Sequence, residues 1–183
     1  MAMLIRTHPC MTVLYSTRRA TLSELPALKP TKEASSARTD ISDLPGFASF
    51  ATANPRHISP GTVARELYRY VADLYLLVCG PQYWFYYGVD GRPETKFTLE
   101  IALPVQGKIP TALLPYFKRI PAFRCLTSRY EGPWEGMAAA YAGMMQYITD
   151  NQLKMNGVYA ESFLHIDFDD PAGQITEIQI GLV

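Results

Sequence analysis

The chain has 183 residues, 48% of them hydrophobic, and its 17 basic residues are balanced by 17 acidic ones. That length suits one domain with an extension, and the apolar content excludes a disordered chain. The charge balance argues against a nucleic-acid groove or an anionic membrane surface, both of which need clustered positive charge. Cys10, Cys79 and Cys125 are odd in number and widely spaced, which fits neither a disulfide framework nor a metal knuckle. The first residues lack the apolar stretch of a signal peptide, and no run reaches the ~18 apolar residues of a membrane span. A cytoplasmic protein is expected, with no DNA bound by the chain itself, no membrane, no metal and no cofactor.

Residues 1–45 read as an N-terminal extension: a short strand at 11–15, a turn of helix at 21–25, then a Ser/Thr/Ala-rich loop at 30–43. A first strand is expected at 47–51, where apolar and small residues alternate. Val63, Leu67, Val71, Leu74 and Val78 recur at helical spacing, so a helix is expected over 62–78 with one face buried, ended by Gly80-Pro81. The aromatic run 83–87 and residues 96–105 read as strands, joined by the turn residues Asp90-Gly91-Arg92-Pro93. After a linker at 106–122 the order returns. A strand is expected at 123–130, a helix at 134–152 closed by Asn156-Gly157, and strands at 161–168 and 175–182 around an Asp-Pro-Gly turn.

The return is a repeat. At a constant offset of 77 residues Gly80 maps onto Gly157, Leu67 onto Met144, Tyr86 onto Phe163, Asp90 onto Asp167 and Glu100 onto Glu177. A period this long is no solenoid unit. Each copy reads β-α-β-β, giving one domain (46–183: first repeat 46–105, second repeat 123–183). The class is α+β, an antiparallel-rich sheet with two helices on one face, and the repeats meet at a seam of the kind where concave ligand sites form.

Successive strand residues point to opposite faces. Leu99, Ile101, Ile178 and Ile180 therefore form an apolar face under the helices. Glu100 and Glu177 lie on the other. Trp84, Tyr86, Glu161, Phe163 and His165 share one face of their strands, and the expected grouping places all of them with Glu100 and Glu177 on the helix-free face. Carboxylates among aromatic walls suit a cationic, partly apolar guest. Against this, a glutamate on an open sheet face is more often merely solvated, and Trp134, Tyr141 and Met144 serve equally as core residues. His165 has no second His or Cys nearby in sequence, which excludes a metal site there.

Tyr130-Glu131-Gly132-Pro133-Trp134-Glu135-Gly136, Tyr141, Glu161-Ser162-Phe163 and the Thr176 to Ile180 run resemble the GyrI-like small-molecule-binding family, which includes effector-binding domains of multidrug-responsive transcription regulators. Gly80-Pro81, Tyr86 and Leu99-Glu100-Ile101 look like its first repeat, and the resemblance covers residues 46 to 183. It implies a two-repeat fold, a channel lined by aromatics and acids, and planar or cationic apolar ligands. Some stand-alone relatives hydrolyse strained electrophiles. The family's acids carry over to Glu161 and Glu177, with Phe163 where a tyrosine is usual.

The leading expectation is a stand-alone binder of amphipathic small molecules, held by Glu100, Glu161, Glu177, Trp84, Tyr86, Trp134, Tyr141, Phe163 and His165. A hydrolase would use Glu161, Glu177 and Tyr86 as general base and acid. The remaining alternative is an interaction module whose aromatic face is covered by another protein or by a second copy in a homodimer.

Overall fold

The computed structural model describes residues 2–24, 60–167 and 169–183. Nine strands occur among them: β1 (Met3–His8), β2 (Met11–Ala20), β3 (Leu77–Val78), β4 (Gln82–Tyr87), β5 (Phe97–Gln106), β6 (Phe117–Ile120), β7 (Phe123–Glu131), β8 (Met155–His165) and β9 (Ile175–Leu182). Helix α1 (Pro60–Asp73) precedes β3, and α2 (Met137–Asp150) follows β7. The strands form one sheet of order β1-β7-β9-β8-β4-β5-β2-β6, with β3 paired to the far end of β5.

The 77-residue offset survives in three dimensions, since it carries α1 onto α2 residue for residue. It also locates the symmetry. Trp84 maps onto Glu161, and these two are direct cross-strand partners in the antiparallel β4–β8 pair. A pseudo-two-fold axis therefore passes between them. Both helices end on a non-glycine residue in left-handed backbone, Tyr75 at φ 54° and Gln152 at φ 51°, again 77 residues apart. The helices stop there, ahead of the expected Gly80-Pro81 and Asn156-Gly157, because the chain has already turned into β3 and toward β8.

Residues 1–45 are not simply an extension, since they contribute two strands to the sheet. β2 pairs with β5 as β7 pairs with β9, so β2 holds the place of the first strand of repeat one. The strand expected at 47–51 lies outside the described residues. The offset for this strand is 112, with Met11 mapping onto Phe123. The cause is unequal spacing: β2 ends at residue 20 and α1 begins at 60, whereas β7 ends at 131 and α2 begins at 137. The linker expected at 106–122 likewise contains β6, the counterpart of β1.

These added strands close the sheet. β1 runs into β2 through Pro9-Cys10, and β6 into β7 through Pro121-Ala122. One antiparallel register, Met3↔Ser128 to His8↔Phe123 and Met11↔Ile120 to Leu14↔Phe117, spans both segments. The ladder lapses only at the two steps that hold a proline, which lacks a donor: Pro9 opposite Ala122 and Cys10 opposite Pro121. The pairing path therefore returns to its start, and the sheet is a ring with helices on its outer face.

Both faces are buried. Outside, Val63, Leu67 and Val71 of α1 pack on Trp84, Leu99 and Ile101, and Met144 and Ile148 of α2 pack on Leu126, Ile178 and Ile180. Inside, Val13, Tyr83, Phe85, Ala102, Ile120 and Ala160 form a second core. No helix among the described residues is long and apolar enough to cross a membrane.

Candidate functional site

The register decides which side chains meet. Cross-strand partners share a face; Trp84 pairs with Ile101 and Glu161 with Ile178. Trp84, Tyr86, Glu161 and Phe163 therefore lie on the helix side, with the apolar strand residues. Glu100 and Glu177 lie inside the ring. The expected single group is thus split across the sheet. Alternation along each strand was read correctly, but only pairing tells which face of one strand joins which face of the next.

On the helix side, between the repeats, a cavity of about 530 Å3 is lined by Tyr86 and the turn Val89-Asp90-Gly91 from the first repeat. Tyr141 and Met145 of α2 and Met155, Tyr159 and Glu161 of β8 complete the wall, with Leu22. Glu161 is 5% exposed. Its two oxygens accept from two phenols: Tyr86 donates to Oε2 at 2.7 Å and Tyr141 donates to Oε1 at 3.0 Å. Burial pushes both phenols well above their ordinary range, and the charge of Glu161 adds to it. Each tyrosine therefore stays protonated and remains a donor. Apart from Asp90 and Gly91 of the turn, the rest of the lining is thioether, aliphatic and aromatic surface, which offers dispersion contacts and ring faces.

Trp84, Phe163 and Trp134 stand beside this cavity without lining it. Phe163 packs edge-on against both tryptophans, with centroids 5.4 Å from Trp84 and 5.8 Å from Trp134. The three rings form a packed wedge across the axis from the hollow. His165 lies beyond a register irregularity in β8 and is exposed. It takes no part.

The glutamates inside the ring have cations of their own. Glu100 is paired with Lys118 at 2.5 Å, and Glu177 with Arg6. Arg6 and Lys118 are 112 residues apart, so the ion pairs are symmetry mates, each tying a ribbon to the sheet. Lys118 also sits 4.8 Å from the Tyr15 ring centroid and 5.8 Å from that of Tyr87. Burial pushes the Glu100 carboxyl up, and Lys118 pulls it back. A wider hollow of about 550 Å3 beside Pro9-Cys10 contains His8 and Tyr83, but these bond each other at 2.8 Å. Among the described residues no three His, Cys, Asp or Glu side chains cluster as metal ligands.

Sequence reasoning missed Leu22, Val89, Asp90, Met145, Met155 and Tyr159. Two were within reach: Tyr159 precedes Glu161 by one strand period, and Met145 follows Tyr141 by one helical turn.

No family model and no curated protein matches the chain. Among solved structures, the EcmrR C-terminal domain is similar over 100% of this chain and 97% of its own, at 21% identity and a TM-score of 0.61. EcmrR in its complex with DNA is similar over 99% of this chain at 22% identity and a TM-score of 0.60. Only 57% of that longer chain is covered. SAV2435 bound to tetraphenylphosphonium covers 100% of this chain and 94% of its own, at 13% identity and a TM-score of 0.54. A hydrolase from Listeria innocua covers 99% and 91%, at 11% identity and a TM-score of 0.52. At these identities the likeness is one of fold: the chain has the two-repeat architecture of the GyrI-like effector-binding domains.

Proposed function

We propose that this chain binds a cationic, largely apolar small molecule in the cavity above Glu161, and so senses or sequesters it. One observation carries the reading. A carboxylate 5% exposed is fixed by Tyr86 and Tyr141 at the floor of a hollow made largely of rings, thioethers and aliphatic side chains. Two phenol donors orient the charge but bring no positive charge of their own. A positive guest gains Coulomb attraction in a medium of low polarity and adds contact with the faces of Tyr141 and Tyr159. SAV2435, which shares the fold, binds tetraphenylphosphonium, and that ion is a suitable probe.

Calorimetric titration tests the reading, with neutral triphenylphosphine oxide as the uncharged control. Tetraphenylphosphonium is expected to bind and the oxide to bind at least ten-fold more weakly. Glu161→Gln keeps an acceptor for a tyrosine but removes the charge, and should weaken the cation about ten-fold or more, where each decade is ~1.4 kcal/mol. Equal affinity of the two proteins for the cation would refute the reading.

Hydrolysis is the weaker reading. It draws on the Tyr86–Glu161 hydrogen bond and on the hydrolase among the fold's neighbours. Glu177, the second acid it called for, lies inside the ring bound to Arg6. Phenols whose proton is held this firmly are also poor general acids.

A further inference from the structure

Glu161 is not the sole carboxylate on the cavity wall. Asp90 borders the same hollow from the β4–β5 turn, at the rim, with its side chain 43% exposed. The turn holds it in place: its Oδ1 accepts from the Arg92 backbone N–H at 2.9 Å and its Oδ2 from the Thr95 hydroxyl at 3.0 Å. Those donors, the Arg92 N–H foremost, keep its carboxyl below its ordinary range. Its one ion-pair partner among the described residues is the Arg92 Nε, 3.8 Å from Oδ2 on a side chain 83% exposed. That is a loose, solvated contact which a guest can replace.

The two acids stand at different depths. Trp84, the strand partner of Glu161, precedes Asp90 by six residues, at most about 20 Å of extended chain, and one strand spacing of about 5 Å brings the floor-to-rim bound to about 25 Å. Tyr86, Val89, Tyr141 and Met145 fill the wall between. The hollow is thus negative at both ends and apolar along its length.

We propose that the preferred guest is a dication, with one charge on Glu161 at the floor, a second at the Asp90 rim, and an apolar spacer along the aromatic wall. This rests on the cavity being a cation site, and it makes Asp90 the residue that selects for the second charge. A guest with a neutral tail leaves the rim carboxylate to Arg92 and water. A guest with a positive tail displaces Arg92. The contact is exposed, so its worth is modest and falls with added salt.

The test uses a matched pair: a triphenylphosphonium with a plain alkyl tail, and the same ion ending in trimethylammonium. The readout is the ratio of their affinities in titrations at low ionic strength. The dication should bind about two- to five-fold more tightly, with the advantage shrinking in salt. Asp90→Asn, which retains the Oδ1 acceptor for the turn, should bring the ratio to one. Arg92→Ala keeps the backbone donor and removes the competing cation, so the ratio should grow. A ratio of one in the unmodified protein, or a ratio insensitive to both substitutions, overturns the role of Asp90 while leaving Glu161 as a cation site. Failure of both ions to bind removes the cavity reading itself.

Discussion

The two repeats share a backbone and part company at the axis. Across it Trp84 answers Glu161, and on the helices Ala64 of α1 answers Tyr141 of α2. Tyr86 answers Phe163. In the first repeat the large ring comes from the strand and the helix recedes. In the second the helix reaches down with a phenol to a strand acid. In one half of the seam Trp84, Phe163 and Trp134 pack ring against ring, and the other holds the cavity and its acids. A duplicated fold thus divides labour without moving its main chain, and each half of the seam draws on both copies: Tyr86 of the first joins Tyr141 and Glu161 in the cavity, and Phe163 and Trp134 of the second join Trp84 in the wedge.

The sharpest way to break this comparison is to hollow out the ring-packed half. Trp84 is 0% exposed, so Trp84→Ala should destabilise by about 3–5 kcal/mol, read as a lower midpoint in urea. Should the loss fall below about 1 kcal/mol, the wedge is not the support described.

The paired ion bridges inside the ring offer the next contrast. Glu100 is 3% exposed and Glu177 16%, so losing the deeper bridge should cost more. Lys118→Met is expected to destabilise by about 3 kcal/mol at neutral pH, and Arg6→Met by about 1 kcal/mol or less. The pH dependence has a definite sign. A carboxyl raised in the folded state contributes stability that is full below its unfolded value and lost as pH rises through the folded one. Glu100 takes up its proton above its ordinary value of 4.5 in the fold, so the Lys118→Met penalty should shrink as pH falls toward that value. A penalty that grows in acid contradicts this arrangement.

The smallest effects concern the helix ends. Tyr75 and Gln152 hold left-handed backbone at a cost of ~1–2 kcal/mol for a residue with a Cβ. Gln152→Gly should therefore stabilise by about 0.5–1 kcal/mol after the added chain entropy is offset, and Tyr75→Gly by a like amount. Thermal midpoints that fall in both would show side-chain contacts outweighing backbone strain.

Much of this fold was legible because glutamates, aromatics and helix faces recur at one spacing. The offset of 77 defined both helices and the four strands that follow them. It could not show β2, because the first repeat takes 39 residues between that strand and its helix, positions 21–59, where the second takes five, 132–136. Nor could it assign faces between strands. Alternation tells that Glu161 and Phe163 share a side, but Glu161 meets Ile178 only through hydrogen-bond register, which is a property of two strands rather than one. That is why Glu161 meets Tyr86 and Tyr141 on the helix side rather than on the helix-free face expected for it, while Glu100 and Glu177 lie inside the ring. Lys118 and Arg6, their neutralising partners, sit on ribbons whose offset differs from that of the acids, so no single period linked them.

The ribbon pairing also shapes how the molecule comes to be. Met3 must find Ser128 and Leu14 must find Phe117, contacts separated by more than half the polypeptide. Closing such distant ends is entropically slow. During synthesis β1 can find its place only after β7 has left the ribosome, so it stays unpartnered while the residues between them are made. Trigger for the final condensation is then the arrival of the second copy, not completion of the first.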